Sequence, residues 1–338
     1  MTRYVLRRIA LAILVVAGVV VLTFVIARMV PGDPAASWAG PHASAEQIAR
    51  VRHQLGLDRP LPEQIVTYFT GLVRGNWGIS IHTRQPVLQD ITARAPISIE
   101  VVTAAILLAF LFGVPLGLIS ARWAGKLPDG AIRVGAVLSV SMPAFWLALI
   151  LQLVFFQRLH LLPVAGQYDP NLDYTSPLAQ YTRMPVVDAL ITGNWIVLWS
   201  ALRHLVLPAV VIASYPLGVF TRMVRASVLD TVSEDHVRAV RALGFSERLV
   251  YSRFALRSAW VPIVSVTALV FAYSLANTFL VEAIFDWPGL GSYAADSITS
   301  LDTPAIIGVT LFIALAYVIA NVIVDLVQAY LDPRIRLT

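Results

Sequence analysis

Residues Val101–Ala121 read VVTAAILLAFLFGVPLGLISA, a run of 21 residues without an Asp, Glu, Lys or Arg. About 20 apolar residues in a helix cross the roughly 30 Å hydrocarbon core of a bilayer, so the run predicts a membrane span. Five further windows share its character: Ile9–Ala27, Val134–Gln157, His204–Thr221, Ser258–Val281 and Pro304–Val324, each 18 to 24 residues long and free of charge. The first follows Arg3, Arg7 and Arg8, as the core of a secretory signal does. Its 19 residues exceed the limit of about 15 for such a core, which predicts an uncleaved anchor.

Composition agrees. Of 338 residues, 58% are hydrophobic and only 13% charged, whereas a soluble domain carries roughly a quarter charged. The chain is predicted to be an all-α membrane protein with six transmembrane helices. The absence of cysteine excludes disulfides, thiolate metal sites and cysteine nucleophiles. Six spans put both termini on one side. Segments 1–8, 122–133, 222–257 and 325–338 hold 15 of the 25 Lys and Arg residues within 70 residues, against 10 within 141 on the opposite side. That roughly three-fold higher density assigns the first set, with both termini, to the cytoplasm.

Between the first two spans lies a long outer segment with helical signals. Ser44 and Gln47 make a capping box, Ile48, Val51 and Leu55 repeat on one face, and Gly56 is placed to end the helix. Ile65, Tyr68, Phe69 and Leu72 predict a second short helix. These helices read equally as a lid over span ends or as a docking site. The window Ile191–Ala201 is 11 residues long, too short to span, and reads as interfacial or re-entrant, with Trp195 and Trp199 at headgroup level. Gly113, Pro115, Gly117, Pro143, Pro208, Pro216 and Pro262 are helix disruptors inside the spans and predict kinks.

The marks of catalysis are missing. There is no HExxH, no GxSxG and no acidic pair on a span, and the six histidines are scattered. Gly125-Lys126 is no phosphate loop, because Ser120 stands where the first glycine belongs and Leu127 replaces the hydroxyl residue. Glu100, Glu282 and Asp325 sit at span boundaries, where each is expected to reach the interface. An active transporter without an ion relay or nucleotide site takes its energy from another subunit.

The charged stretch Glu234–Leu249, EDHVRAVRALGFSERL, lies between two apolar windows on the cytoplasmic side. Ser233 is placed to cap a helix with Glu234 and Asp235 in its first turn. Arg238 has partners at i−4 in Glu234 and i−3 in Asp235. Gly244 stands at a left-handed C-terminal cap, and Ser246 with Glu247 begins a second helix. Two short helices around a glycine bend make a compact handle, or an amphipathic loop lying on anionic lipid.

This stretch resembles the cytoplasmic signature of ABC importer permeases: Glu-Ala-Ala, three residues, Gly, nine residues, Ile, one residue, Leu-Pro. Aligned on Gly244, it meets Arg238-Ala239-Val240 and then Phe254-Ala255-Leu256-Arg257, with strict matches only at Ala239, Gly244 and Leu256. The departures are similar to the dipeptide/oligopeptide/nickel subfamily, whose members carry a VRxARAxG-type run followed by a Phe-Ala-Leu-Arg-type segment, as in Val237–Gly244 and Phe254–Arg257. Pro31-Gly32-Asp33-Pro34, Leu55–Pro60 (LGLDRP), Glu282–Gly291 (EAIFDWPGLG) and Asp332–Arg336 (DPRIR) resemble further family motifs in order along the chain. The large outer loop is similar to the B-type subunit.

The resemblance implies a type I ABC importer permease fold in the bacterial cytoplasmic membrane. It implies an importer subunit forming half of a pathway for di- and oligopeptides or similar solutes. Its partners would be a second homologous permease, two ABC ATPase subunits and an extracytoplasmic substrate-binding protein, with the lipid bilayer around it and no nucleic acid. No cofactor or metal is expected on this chain, and no catalytic residue; ATP and Mg would sit on the ATPases. ATPase docking falls to Glu234, Asp235, Val237, Arg238, Ala239, Arg241, Ala242, Gly244 and Phe245. An outer gate falls to Glu282, Asp286, Trp287, Pro288 and Gly289, a segment that also reads as an interfacial turn. Ser141, Phe145, Tyr273 and Asn277 are candidate pathway residues or helix-packing residues. The expected division is 1–30 (N-terminal region and first span), 31–97 (extracytoplasmic loop) and 98–338 (permease core, with coupling segment 226–257). The competing functions are a stand-alone secondary carrier or channel, and a membrane-embedded enzyme.

Overall fold

The computed structural model describes residues 2–29, 32–40 and 42–331. Pro31 and the Asp332–Arg336 motif lie outside the described residues. In chain order the helices are α1 (Thr2–Met29), α2 (Pro34–Ala39), α3 (Ala45–Gln54), α4 (Leu61–Val73), α5 (Val87–Arg122), α6 (Leu127–Ser141), α7 (Ala144–Leu151), α8 (Leu172–Thr175), α9 (Pro185–Thr192) and α10 (Trp195–Val232). There follow α11 (Asp235–Ala242), α12 (Glu247–Leu249), α13 (Leu256–Ala276), α14 (Thr278–Ile284), α15 (Leu290–Thr299) and α16 (Thr303–Leu331). π-helical turns at Gln152–Arg158 and Val250–Ala255 extend α7 and join α12 to α13. Among the described residues there is no strand, only an isolated bridge between Ile79 and Pro86.

Among the described residues four helices are long and apolar enough to cross a membrane: α5, α10, the continuous helix Glu247–Ala276, and α16. The window Val134–Gln157 does not form one straight rod. It is shared between α6 and the α7 helix, which meet at a 104° bend and can make a fifth span. Pro143 supplies the break, since it follows Met142 in an extended conformation and cannot continue the hydrogen-bond ladder of α6. In α1 the described side chains give a shorter apolar stretch, Ile13–Ile26. The chain is a multi-pass helical membrane protein.

Other expectations are corrected. Ile191–Ala201 is not one segment: Thr192 ends α9, and Trp195–Ala201 are the first turns of the 38-residue α10. The window was interrupted by Gly193 in a left-handed cap and Asn194, whose side chain accepts from the Val197 N–H and starts the new helix. Pro208 and Pro216 sit inside α10, both buried, and Pro262 inside α13. The window Ser258–Val281 ends early, since α13 stops at Ala276 and α14 starts at Thr278.

The chain forms two compact units, Met1–Ile97 with Pro288–Val318, and Ser98–Trp287 with Ile319–Thr338. In the first, Val20 and Phe24 of α1 pack with Ile307 and Leu311, beneath Ile65, Tyr68, Phe69 and Leu72 of α4. The predicted capping box is present: Ser44 Oγ accepts from the Gln47 N–H and Gln47 Oε1 from the Ser44 N–H. Gly56 takes a positive φ of 63°. Buried Asp302 fixes this unit's loops by accepting from Ser80 Oγ (2.5 Å), the His82 N–H (3.0 Å) and the Ala305 N–H (3.1 Å).

In the second unit α10 packs against α6, α7, α9 and α13, and α5 joins it through Gly113 and Gly117. A Cβ on Gly117 would lie 2.7 Å from Thr221 O and from Val224 Cβ. These glycines therefore do not disrupt α5. They let two helices approach closely where small residues are needed. A buried ion pair binds α6 to α10: Asp129, 1% exposed, accepts from Arg225 Nε (2.7 Å) and Nη2 (2.8 Å), from Ser120 Oγ (2.6 Å) and from the Gly125 N–H (3.0 Å).

Candidate functional sites

The charged stretch folds as an elbow between α10 and the helix Glu247–Ala276. Ser233 belongs to the helix before it. It is the C-cap of α10 and its Oγ donates to Asp230 O, so Glu234 occupies the N-cap of α11. Arg238 meets Asp235 at 3.6 Å as expected, while Glu234 meets His236 at 3.1 Å in place of Arg238. Gly244 lies one residue past the C-cap with φ +82°, a left-handed conformation that side chains resist. Across this bend Arg241 clamps Glu247 with two hydrogen bonds, Nε to Oε1 (2.6 Å) and Nη2 to Oε2 (3.2 Å). The pair is exposed and adds little stability, but it fixes the angle of the elbow.

Val237 is fully buried, as are Val250 and Ala255 in the π-helical turn. Van der Waals contact of α11 with that turn seats the elbow on the second unit. Val237 thus points inward, whereas Glu234, Asp235, Arg238, Ala239, Ala242, Gly244 and Phe245 are exposed and Arg241 is half-buried. Nothing lies within 4 Å of a Cβ built on Gly244, so only its φ demands glycine within this chain. Leu243, 76% exposed, was missed in the sequence. The signal was there, a leucine beside the left-handed glycine on the polar side of the helix. With Phe245, whose ring meets Phe254 edge-on at 5.7 Å, it gives a basic elbow an apolar tip.

At the other signature, Glu282 does not reach the interface. It is 1% exposed and its Oε1 accepts from Ser98 Oγ at 2.5 Å. Glu100 is likewise buried, accepting from the Val186 N–H at 2.9 Å. Both carboxylates find donors across the fold, which offsets the cost of burial. The Glu282 carbonyl accepts from the Trp287 N–H (2.8 Å), closing a turn in which Asp286 takes φ +49°. Trp287 is buried, and so is Phe285, whose carbonyl receives the Gly166 N–H at 2.9 Å. Gln152 Nε2 donates to Ile284 O and Val164 O. Asp286 and Pro288 are exposed, and Gly289 is buried.

The four pathway candidates fall at helix breaks. Ser141 ends α6 and Phe145 opens α7, on either side of the bend, and both are exposed. Tyr273 and Asn277 end α13, with Asn277 Nδ2 donating to Tyr273 O and the Tyr273 ring 4.4 Å from that of Tyr215. Since α7 packs against α14, the two breaks lie on neighbouring helices. Irregular backbone at membrane depth occurs where protein or a water-filled cavity satisfies it. Among the described residues no group of three or more His, Cys, Asp or Glu is arranged to hold a metal ion.

Long apolar helices, broken in the middle and carrying a charged elbow between two of them, define a polytopic membrane transport component. The chain belongs to the family of binding-protein-dependent transport system inner membrane components, whose model matches residues 113–337, with the family's N-terminal model matching residues 1–102. It is 40% identical over 323 residues to the probable D,D-dipeptide transport system permease protein DdpB of Escherichia coli (strain K12), covering 96% of this chain and 94% of that one. It is 35% identical over 342 residues to the dipeptide transport system permease protein DppB of the same organism, covering 99% of each. It is 34% identical over 336 residues to the glutathione transport system permease protein GsiC of Salmonella choleraesuis, again covering 99% of each. These relatives are transport subunits, and the chain is a permease component of the same kind.

Proposed function

We propose that this chain is one of two permease subunits of an ATP-driven importer for di- or oligopeptides or chemically similar solutes, in the bacterial cytoplasmic membrane. The substrate class rests on the names of its relatives. With α1 and the bent α6–α7 pair each taken as a span, the chain crosses six times and both termini lie in the cytoplasm, where Lys and Arg are densest, with 31–97 as the extracytoplasmic loop and 98–338 as the core of a type I permease. A second permease completes the pathway, two ATPases carry ATP and Mg, and a substrate-binding protein delivers the solute. Ser141, Phe145, Tyr273 and Asn277 line the pathway at the helix breaks.

The observation that carries the mechanism is the exposed elbow Glu234–Leu249, held rigidly between α10 and the helix Glu247–Ala276. Its apolar tip Leu243–Phe245 enters a groove on an ATPase, Arg238 meets acidic groove residues, and closure of the ATPases around ATP rocks the attached spans. Gly244→Arg tests this. The added Cβ meets nothing within 4 Å on this exposed bend, and the φ strain costs about 1–3 kcal/mol, so insertion survives. Substrate-stimulated ATP hydrolysis in the assembled complex should vanish; normal coupled turnover would defeat the docking. The outer segment Glu282–Gly289 forms the gate, and its exposed members Asp286 and Pro288 are the probes. If Asp286→Asn and Pro288→Ala leave both transport and binding-protein-stimulated ATPase unchanged, the gate assignment fails.

A further inference from the structure

His160 and His204 line one cavity of about 540 Å³ in the second unit, with Asp169, Arg203, Trp199 and Phe156. Arg203 donates Nη2 to the Leu161 carbonyl at 2.5 Å, which holds the guanidinium in place and leaves its other N–H groups for a ligand. His204 Nδ1 lies 2.8 Å from the Ser200 carbonyl; the carbonyl accepts, so Nδ1 carries the proton and Nε2 of the neutral ring is an acceptor. Asp169 Oδ1 accepts from the backbone N–H and the side-chain amide of Asn171, both at 2.9 Å, leaving Oδ2. The cavity thus brings together a fixed cation, a carboxylate and an imidazole acceptor.

What lies beside it selects the ligand. Trp195, Trp199, Leu202, Val206 and Val210 of α10 are each 40–67% exposed, and their spacing puts them in one stripe along the helix. The tryptophans mark headgroup depth, and the aliphatic side chains continue toward the hydrocarbon. We propose that this cavity binds the headgroup of a phospholipid with a primary amine. The phosphate lies on Arg203 and His160, the ammonium between Asp169 and His204 Nε2, and an acyl chain along the α10 stripe. A primary ammonium carries N–H donors for two acceptors; a quaternary one carries none.

The test uses the full-length chain in nanodiscs containing equal ethanolamine and choline phospholipids of matched acyl chains, with retained lipids counted by native mass spectrometry. The expected result is an enrichment of the ethanolamine lipid by about ten-fold. Asp169→Asn, which keeps Oδ1 for Asn171, should bring that preference to about one while phospholipid stays bound. Arg203→Gln should lose the retained lipid, and Arg203→Lys should keep part of it. Soluble phosphoethanolamine, lacking the chains, should compete far more weakly than the lipid. Equal retention of the two lipids by the unmodified chain, an unchanged preference in Asp169→Asn, equal competition by phosphoethanolamine, or displacement of the lipid by a dipeptide would each overturn the proposal.

Discussion

Replacing Arg225 by Met should cost this fold more than a change at any exposed charge. Asp129 is 1% exposed and its two oxygens receive four hydrogen bonds, two of them from Arg225. Methionine removes half of those bonds and the whole countercharge, leaving a buried carboxylate without its partner. Breaking a buried pair costs about 3–5 kcal/mol. Arg225 is 24% exposed, so some water enters its place and the lower end applies, about 3 kcal/mol, or about 150-fold in the folding equilibrium. Asp129→Asn keeps the shape and an acceptor, and should cost about 2 kcal/mol through the lost charge-assisted bonds. The double variant should be no worse than Arg225→Met alone, because the uncompensated charge has gone, giving a coupling of about 2 kcal/mol. The assay is reversible unfolding of the purified chain in mixed micelles, followed by tryptophan fluorescence. Additive losses, or an Arg225→Met cost below about 0.5 kcal/mol, would refute the reasoning.

Other outcomes follow from the same geometry. Gly117→Val places a Cβ 2.7 Å from Thr221 O and Val224 Cβ, and should lower stability by about 1–3 kcal/mol; Gly135→Ala, inside α6 with nothing within 4 Å, gains about 0.5–1 kcal/mol of helix propensity and should raise the melting temperature in detergent. Trp287→Ala empties a buried site and should cost about 3–5 kcal/mol, visible as earlier proteolysis of the solubilised chain. At Asp33, partial burial acts to raise the pKa, but hydrogen bonds from Ala35, Arg52 and Ala36 outweigh it and hold the carboxyl below its usual range. A lowered folded-state pKa stabilises above the unfolded value of about 3.9 and is lost as pH falls. Protection of the α2 and α3 amides from hydrogen exchange, relative to the intrinsic rate at each pH, should therefore fall on acidification below about pH 4, and Asp33→Asn should remove that dependence.

Several features were legible because their causes are local. The capping box at Ser44, the left-handed glycine at position 244 and the Asp235–Arg238 pair involve residues within one turn of each other. The apolar windows marked spans because backbone desolvation acts on each helix separately. Local reasoning failed where two neighbours compete for one residue: Ser233 serves the long helix before it, since α10 runs on to Val232. Ile191–Ala201 looked like one short window, but one glycine and one asparagine divide that stretch between two helices.

The sequence by itself determined the membrane environment, the helical class and the hinge of the elbow. The size of the bend expected at Pro143, 104°, came only from the tertiary structure, as did the burial of Glu100 and Glu282 and the close approach of α5 to α10. It also brought Asp129 to Arg225 across 96 positions and His160 to His204 around one cavity. A buried charge is tolerable only beside its partner, and a glycine has meaning only against the atom it faces. Both partner and facing atom arrive from distant parts of the chain, where no spacing in the sequence records them.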